Sequence, residues 1–195
     1  MTNLTFDKNY WETRYNNKET GWDTGSITLP LKEYIDQIED KNLKILIPGG
    51  GNSYEFEYLL ANDFANVYVL DIAQNPLENI KKRISCQENQ LILGDFFIHN
   101  ETYDLILEQT FFCALDPNLR KKYVEKMHQI LNPRGKLAGL FFNFPLTEDG
   151  PPFGGSREEY EKIFSEKFEI KTMEQAYNSI KPREGKELFV ILQKK

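Results

Sequence analysis

The chain has 195 residues, 40% of them hydrophobic and 28% charged, and its formal net charge is -6 at pH 7. This length suits one α/β domain with a sizeable core, and this composition excludes a disordered chain. The negative charge argues against nucleic acid and anionic membranes as partners, because binding to them depends on Lys and Arg. We therefore expect a single monomeric domain over residues 1–195 with a small-molecule ligand.

The sequence also lacks the marks of a secreted or membrane-spanning protein. Cys86 and Cys113 form no CxxC motif, and this sparse use of cysteine fits a reducing cytoplasm. The first residues show no basic start followed by an apolar core. No apolar run nears the ~18 residues that a membrane helix needs. The sequence therefore predicts a cytoplasmic protein without a membrane anchor.

Aromatic side chains dominate the segment before the first predicted strand, which we take as residues 1–40. Trp11 and Tyr15 lie four residues apart and would share one face of a short helix. Trp22 follows in a loop marked by two glycines, and an amphipathic helix is predicted over residues 29–38. Two interpretations stay open: the rings pad the end of a sheet, or they form a lid over a bound ring system.

The core, residues 43–195, begins with a short apolar strand and a run of three glycines. Gly49 and Gly51 suit a tight turn that lets a ligand approach the backbone, and the following helix start offers unpaired N–H groups. A second predicted strand ends at Asp71, 20 residues after Gly51. A carboxylate ~20 residues after the glycine turn binds ribose hydroxyls in nucleotide-binding α/β units. The pattern departs from G-x-G-x-x-G, because Tyr54 stands at the third glycine position.

The rest of the core alternates predicted strands and helices. Further strands are predicted near 91–93, 103–107 and 137–144, and two more, near 168–173 and 188–192, are expected to pair antiparallel. Helices are predicted to begin near Asn75, Asp116 and Ser156. Such alternation predicts a mostly parallel sheet, whose ligands bind at the carboxyl ends of the strands. The residues that fall at predicted strand ends are Gly49, Asp71, Asp95 and Gln109.

Several segments together carry a resemblance to a known family. They are Tyr10-Trp11-Glu12, Thr20-Gly21-Trp22-Asp23-Thr24-Gly25, Pro48-Gly49-Gly50-Gly51, Leu70-Asp71-Ile72, Gly94-Asp95-Phe96-Phe97, Phe111-Phe112-Cys113-Ala114-Leu115 and Gly150-Pro151-Pro152-Phe153. From about Tyr10 onward the chain resembles the class I methyltransferases that use S-adenosylmethionine. It is most similar to the thiopurine S-methyltransferase family, on the branch of the thiol and halide methyltransferases.

This resemblance implies a Rossmann-like α/β fold with a seven-stranded, mostly parallel sheet, helices on both faces and an antiparallel last strand. It also implies an N-terminal segment that folds over S-adenosylmethionine. The positions that match the family's cofactor contacts are Trp11, Tyr15, Trp22, Gly49, Gly51, Asp71, Ile72, Asp95, Phe96 and Gln109. Asp71 falls at the ribose and Asp95 with Phe96 at the adenine. Tyr15 and Gln109 depart from the residues common in relatives.

The chemistry of methyl transfer from a sulfonium needs alignment and desolvation more than a base. A thiol of pKa about 8.5 is partly ionised near neutrality, so we assign no general base and no catalytic residue. His99, His128 and Cys113 are expected to be structural, and no cluster shows metal-ligand spacing. Trp22, Phe144 and Phe153 are predicted to contact the acceptor. The alternative for Phe144 and Phe153 is an ordered loop at the sheet edge.

The sequence therefore predicts an S-adenosylmethionine-dependent methyltransferase acting on a small soft nucleophile, above all a thiol, with halides and thiopurine-like acceptors in the same class. Two other functions stay open. One is an NAD(P)-dependent oxidoreductase, against which Tyr54 and the lack of a second nucleotide-binding half speak. The other is a non-catalytic nucleoside-binding module.

Overall fold

A computed structural model describes residues 6–148 and 150–195 of the chain. The strands are β1 (Ile45–Pro48), β2 (Val67–Asp71), β3 (Leu91–Leu93), β4 (Tyr103–Gln109), β5 (Leu131–Phe142), β6 (Phe168–Gln175) and β7 (Glu187–Lys194). The helices are α1 (Lys8–Asn16), α2 (Leu29–Asp36), α3 (Tyr54–Ala61), α4 (Gln74–Arg83), α5 (Arg120–Ile130) and α6 (Arg157–Phe164). Strands and α-helices alternate from β1 to β3 and from β4 to β6, whereas the described residues contain no α-helix between β3 and β4 or between β6 and β7.

The seven strands form one sheet in the order β3-β2-β1-β4-β5-β7-β6. Strand β1 pairs parallel with both β2 and β4, and β4 pairs parallel with β5. Strand β7, the last in the chain, lies between β5 and β6 and pairs antiparallel with both. The predicted sheet is therefore confirmed.

A crevice opens at the carboxyl end of β1. It arises because the chain continues from β1 to β2 on one side of β1, while β4 lies on the other side.

Helices cover both faces of the sheet because each strand of its centre is apolar on both sides. One face packs Leu46 and Ile106 against Tyr123 of α5 and Phe164 of α6. On the other face, residues of β1 and β4 pack against side chains of α2, α3 and α4, and Phe56 of α3 is one of these. Burial of such side chains contributes roughly 1.5–3 kcal/mol each, so these two layers hold the crevice in place.

Strand β5 differs from its predicted form. The sequence predicts a strand over residues 137–144, but the strand runs over Leu131–Phe142. Tyr103 pairs with Leu131 while Leu105 pairs with Lys136, so the intervening residues form a bulge. The bulge excludes the proline from the ladder, where its missing N–H would cost a hydrogen bond.

The N-terminal helix α1 is fixed to the helix that follows β2. Glu12 Oε1 accepts a hydrogen bond from the backbone N–H of Gln74 at 2.6 Å, and Asn75 Nδ2 donates to Asn16 Oδ1 at 2.9 Å. Both contacts join α1 to the first turn of α4, beside the crevice. This position beside the crevice lies at the end of the sheet, where both interpretations of the aromatic segment place it. Of the predicted N-terminal segment, residues 1–5 lie outside the described ranges.

Candidate active site

A cavity of about 1320 Å³ occupies the crevice at the carboxyl ends of β1, β2 and β4. The four residues predicted at strand ends, Gly49, Asp71, Asp95 and Gln109, all line it. A cavity of this size holds a cofactor together with a small second molecule. The alignment of parallel strands thus brings these four positions to one site.

The glycine turn after β1 forms one end of the cavity. Gly49 and Gly51 have φ values of +55° and +54°, which side chains rarely adopt. A Cβ on Gly49 would overlap the ring of Phe111, and one on Gly51 would lie 2.8 Å from the Tyr15 hydroxyl oxygen. Ser53 follows with a φ of 45° and ends the turn. The turn therefore requires glycine for both its backbone shape and its tight contacts.

Asp71, at the end of β2, is fixed by the backbone on both sides. Its Oδ2 accepts from Gly51 N at 2.9 Å, and its Oδ1 accepts from Ala73 N at 2.8 Å. Burial raises the pKa of Asp71 to about 6, although these hydrogen bonds favour its charged form. The carboxylate thus links the two strand-end loops, and Ile72 beside it also lines the cavity.

Aromatic rings form the wall that faces the glycine turn. Trp11 and Trp22 meet edge to face with ring centroids 5.4 Å apart, and Tyr15 and Trp22 do so at 5.7 Å. Burial raises the pKa of Tyr15 well above its usual value, with the nearby charge of Asp71 adding to the effect. The predicted sharing of a face by Trp11 and Tyr15 is confirmed. Such rings attract a cation by about 0.5–2 kcal/mol each.

The wall formed after β3 and β4 carries Asp95, Phe96 and Gln109. Asp95 Oδ1 accepts from Phe97 N at 2.8 Å, which fixes the loop after β3. The Phe96 ring is buried and lies 5.1 Å from that of Phe111. Gln109 Oε1 accepts from Thr28 Oγ1 at 2.6 Å, so the end of β4 is fixed to the segment before α2.

The remaining part of the lining contains Phe153 but not Phe144. Phe153 packs edge to face on Phe6 at 5.7 Å, and its N–H donates to Cys113 O at 2.7 Å. Phe144 does not line this cavity but lines a smaller, adjoining one of about 350 Å³, which shares Phe142, Pro152, Pro182 and Arg183 with it. The structure therefore brings Phe153 and Trp22 to the site, and it does not bring Phe144 there.

Four residues that the sequence analysis did not assign to the site also line the cavity: Asp23, Ser53, Glu55 and Arg183. Asp23 holds the Trp22 loop on the glycine turn through contacts with Asn52 Nδ2 and, at 3.4 Å, Tyr54 Oη. Arg183 donates to Trp22 O at 2.7 Å. Glu55 is four residues from the buried Leu59 of α3. That spacing places Glu55 on the buried face of α3 and could have predicted its burial. The position of Arg183 near Trp22 depends on the pairing of β7, which the sequence does not show.

Tyr54 accommodates its unusual position by facing outward from the sheet. Its ring lies 4.8 Å from the Arg83 guanidinium carbon, and its hydroxyl reaches Asp23. Helix α3 therefore begins at Tyr54 without forcing the ring between helix and strand.

Comparison with known proteins agrees with this architecture. Residues 6–193 match the sequence model of the thiopurine S-methyltransferase family. A probable thiol methyltransferase 2 of Arabidopsis thaliana is 32% identical over 159 residues, which cover 78% of this chain and 70% of that protein. Thiocyanate methyltransferase 1 of Brassica oleracea is 27% identical over 190 residues, covering 94% and 84%.

Among solved structures, magnesium protoporphyrin IX methyltransferase from Synechocystis PCC 6803 with bound S-adenosylmethionine superposes with a TM-score of 0.74. It covers 100% of both chains at 13% identity, which shows a shared fold. No helix within residues 6–148 and 150–195 combines the length and the apolar character needed to span a membrane. With the fold, the cavity and the family match in agreement, the chain belongs to the thiopurine S-methyltransferase family and is an S-adenosylmethionine-dependent methyltransferase.

Proposed function

We propose that this methyltransferase moves the methyl group to a small soft nucleophile, with a thiol as the preferred acceptor. One observation carries the proposal: a single cavity is lined by the glycine turn, by the aromatic wall and by Phe153 with Pro151 and Pro152. The named relatives, which include a thiol and a thiocyanate methyltransferase, point to the same acceptor class. Membership of this family leaves the oxidoreductase alternative without support.

The residues of the cavity fit S-adenosylmethionine. The glycine turn has no side chains that would obstruct a ligand, and Ser53 Oγ is buried there without a hydrogen-bond partner among the described residues. We assign Gly49 and Gly51 to the methionine part and Gln109 to its vicinity. Asp71 with Ile72 is assigned to the ribose, Asp95 with Phe96 to the adenine, and Trp11, Tyr15 and Trp22 to the surroundings of the sulfonium.

The bound donor supplies an activated methyl group, so the protein has to align the acceptor and exclude water. Alignment of this kind contributes up to ~7–11 kcal/mol in favourable cases. The interlocked rings of Trp11, Tyr15 and Trp22 close one side, and the Phe6–Phe153 contact closes another. Burial raises the pKa of the Cys113 thiol far above its usual value, so Cys113 stays protonated and is not a nucleophile. Neither His99 nor His128 lines the cavity.

The acceptor class is tested by mixing the protein with labelled S-adenosylmethionine and a panel of thiols, iodide, thiocyanate, thiopurines, selenite and tellurite. We expect methyl transfer to at least one thiol at a rate that exceeds transfer to the other acceptors. The absence of transfer to every member of the panel would overturn the proposal and favour a non-catalytic binding module.

The acceptor wall is tested by a pair of phenylalanine substitutions. Phe153→Ala removes an apolar surface of the cavity and is expected to raise the acceptor KM several-fold while the KM for S-adenosylmethionine stays within twofold. Phe144→Ala is the matched control, because Phe144 lines only the smaller, adjoining cavity. Equal effects of the two substitutions on the acceptor KM would remove Phe153 from the proposed site.

We propose further that the protein is one monomeric domain that works in the cytoplasm on small molecules and not on nucleic acid. Its two cysteines, Cys86 and Cys113, are both free, which suits a reducing compartment. The net charge of -6 opposes binding to a polyanion. Sedimentation of the purified protein tests the first point, since a dimer would contradict it.

A further inference from the structure

We propose that Arg120 is a positioning residue for the acceptor: its guanidinium fixes Gly154 and thereby sets the place of the Phe153 ring in the cavity. The inference rests on the proposed function, because it takes Phe153 as part of the acceptor site. Arg120 itself does not line the cavity. It acts through the loop of residues 150–155, which carries Phe153 and which we call the acceptor loop.

Arginine is an unfavourable residue at the place that Arg120 occupies. It is the first residue of α5, where the helix dipole disfavours a positive charge. The residue is also only 3% exposed, and burying a guanidinium costs free energy unless the charge is paired. The helix itself therefore does not explain this side chain, and the explanation lies in its contacts.

Two polar contacts join Arg120 to segments that are distant in the chain. Its Nη1 donates to Glu159 Oε1 of α6 at 2.6 Å, and its Nη2 donates to Gly154 O at 2.5 Å. The guanidinium also lies over the Phe112 ring, 5.1 Å from its centroid. Because a guanidinium is planar and its N–H groups point in fixed directions, it sets the position of Gly154 relative to both helices.

The acceptor loop is packed tightly around Gly154, so a shift of this residue moves its neighbours. A Cβ on Gly154 would overlap Phe144 O, the oxygen that accepts from Gly155 N at 2.8 Å. Phe153, the residue before Gly154, is buried and lines the cavity. The loop is thus held on one side by the Phe144 segment and on the other by Arg120, and the Phe153 ring lies where these two contacts place it.

A purely structural role of Arg120 predicts a different result from a positioning role. If Arg120 only joined α5 to α6, its loss would lower the stability and the amount of folded enzyme. KM does not depend on the amount of folded enzyme, whereas the apparent kcat does. A change in the acceptor KM at unchanged donor affinity therefore distinguishes positioning from stability.

The test measures the acceptor KM of two Arg120 variants. Arg120→Met removes both polar contacts and should raise this KM about fivefold or more, because a displaced ring misplaces the acceptor. The Kd for S-adenosylhomocysteine, measured by titration calorimetry, should stay within about twofold. Arg120→Lys keeps the charge without the planar group, should raise the KM roughly two- to fivefold, and carries the test if Arg120→Met does not fold. An unchanged acceptor KM, or an equal loss of donor affinity, would overturn the proposal.

Lys126 provides a matched control on the same helix. It is another buried cation of α5, 7% exposed, and its Nζ donates to His99 O at 3.0 Å, away from the acceptor loop. Lys126→Met should leave the acceptor KM within about twofold of the wild-type value, whatever it does to stability. A rise as large as that of Arg120→Met would overturn the positioning role, since the loss of any buried cation of α5 would then explain both.

A cycle with Phe153→Ala tests whether Arg120 acts through the Phe153 ring. In the Phe153→Ala protein, the further substitution of Arg120 should change the acceptor KM by less than about twofold, because the ring that Arg120 positions is absent. A full additional rise would overturn the proposal and leave the acceptor site standing. If Phe153→Ala alone leaves the acceptor KM unchanged, or if the wild-type protein methylates no acceptor, the proposed function fails instead, and the positioning role with it.

Discussion

The two connections that leave the centre of the sheet, after β1 and after β4, are built in opposite ways. After β4, Glu108 accepts from Phe111 N at 3.0 Å, Phe112 N at 2.9 Å and Tyr123 Oη at 2.7 Å. After β1, Glu55 and Ser53 are equally buried but lack such partners in the described part of the chain. Glu108 lies outside the cavity and Glu55 lines it.

This difference distinguishes buried polar groups that stabilise the fold from buried polar groups that are available to a ligand. Burial raises the pKa of both Glu108 and Glu55 to about 7, so a shifted pKa does not separate them. What separates them is whether the protein itself satisfies the group. Glu108 stabilises a loop, whereas Glu55 bears a cost that a ligand can offset.

The largest expected effect comes from breaking the satisfied connection. Glu108→Ala leaves two backbone N–H groups and the Tyr123 hydroxyl unpaired in a dry core, so we expect the free energy of unfolding to fall by about 3–5 kcal/mol. Chemical denaturation measures this loss. Tyr123→Phe removes only one of the three hydrogen bonds and should cost about 1 kcal/mol. A loss below about 1 kcal/mol for Glu108→Ala would contradict the structural role of Glu108.

Asp71→Ala should show the reverse pattern, with a large effect on binding and a small one on folding. Its carboxylate borders the cavity, so water can replace it at Gly51 N and Ala73 N. We expect affinity for S-adenosylhomocysteine to fall ten- to a hundredfold, equivalent to about 1.4–2.8 kcal/mol. The free energy of unfolding without ligand should change by less than about 1 kcal/mol. If affinity barely moves, the ribose assignment is wrong.

The buried Glu55 in the connection after β1 should also make the ligand-free protein less stable as pH rises. The Glu55 pKa of about 7 exceeds the ordinary 4.5, because burial outweighs the attraction of Arg183 and is reinforced by Asp23 and Glu57. Between these values the folded state holds the proton that the unfolded state has lost, so stability falls as pH rises. Relative to Glu55→Gln, the wild-type protein should lose on the order of 1–3 kcal/mol between pH 5 and pH 8.

Denaturation curves of the two proteins across this pH range make the measurement. The contributions of Asp71 and Glu108 are present in both proteins and cancel in the comparison. Curves that stay parallel from pH 5 to pH 8 would show that Glu55 carries no unfavourable charge.

The smallest expected effect comes from the tight contact over the glycine turn. Gly51→Ala strains a φ of +54° and brings a methyl group to 2.8 Å from the Tyr15 hydroxyl oxygen. Gly185→Ala strains a similar φ of +74° with no atom within 4 Å. We expect both to be destabilised, and Gly51→Ala by about 1 kcal/mol more because of the overlap. Equal losses would mean that Tyr15 does not pack on the turn.

The sequence predicted the parts of this molecule that depend on local patterns. The alternation of predicted strands and helices indicated a mostly parallel sheet, and strand-end residues such as Asp71 and Asp95 indicated the edge of the sheet at which the cavity lies. The bulge at Pro133 was missed, because a proline is a sound stop signal unless its partner strand tolerates an irregular register. Phe144 pairs with Gly155 and lines the smaller cavity, a placement that depends on the contact between two loops and that no sequence pattern shows.

The residues that the sequence analysis missed depend on contacts between distant segments. Arg183 reaches Trp22 across 161 positions, and Asp23 reaches Asn52 across 29. No periodicity records such contacts. Glu55 carried a weak local signal, its spacing of four from Leu59, but a lone acid on a helix is usually solvated.

The most direct test of the account is a crystal structure of the protein with S-adenosylhomocysteine. We expect the ligand to lie above the glycine turn, with its methionine part at Gly49 and Gly51, its ribose at Asp71 and its sulfur beside Trp11 and Trp22. A ligand bound in another part of the molecule, or in this cavity with its adenosine and amino acid ends exchanged, would contradict it.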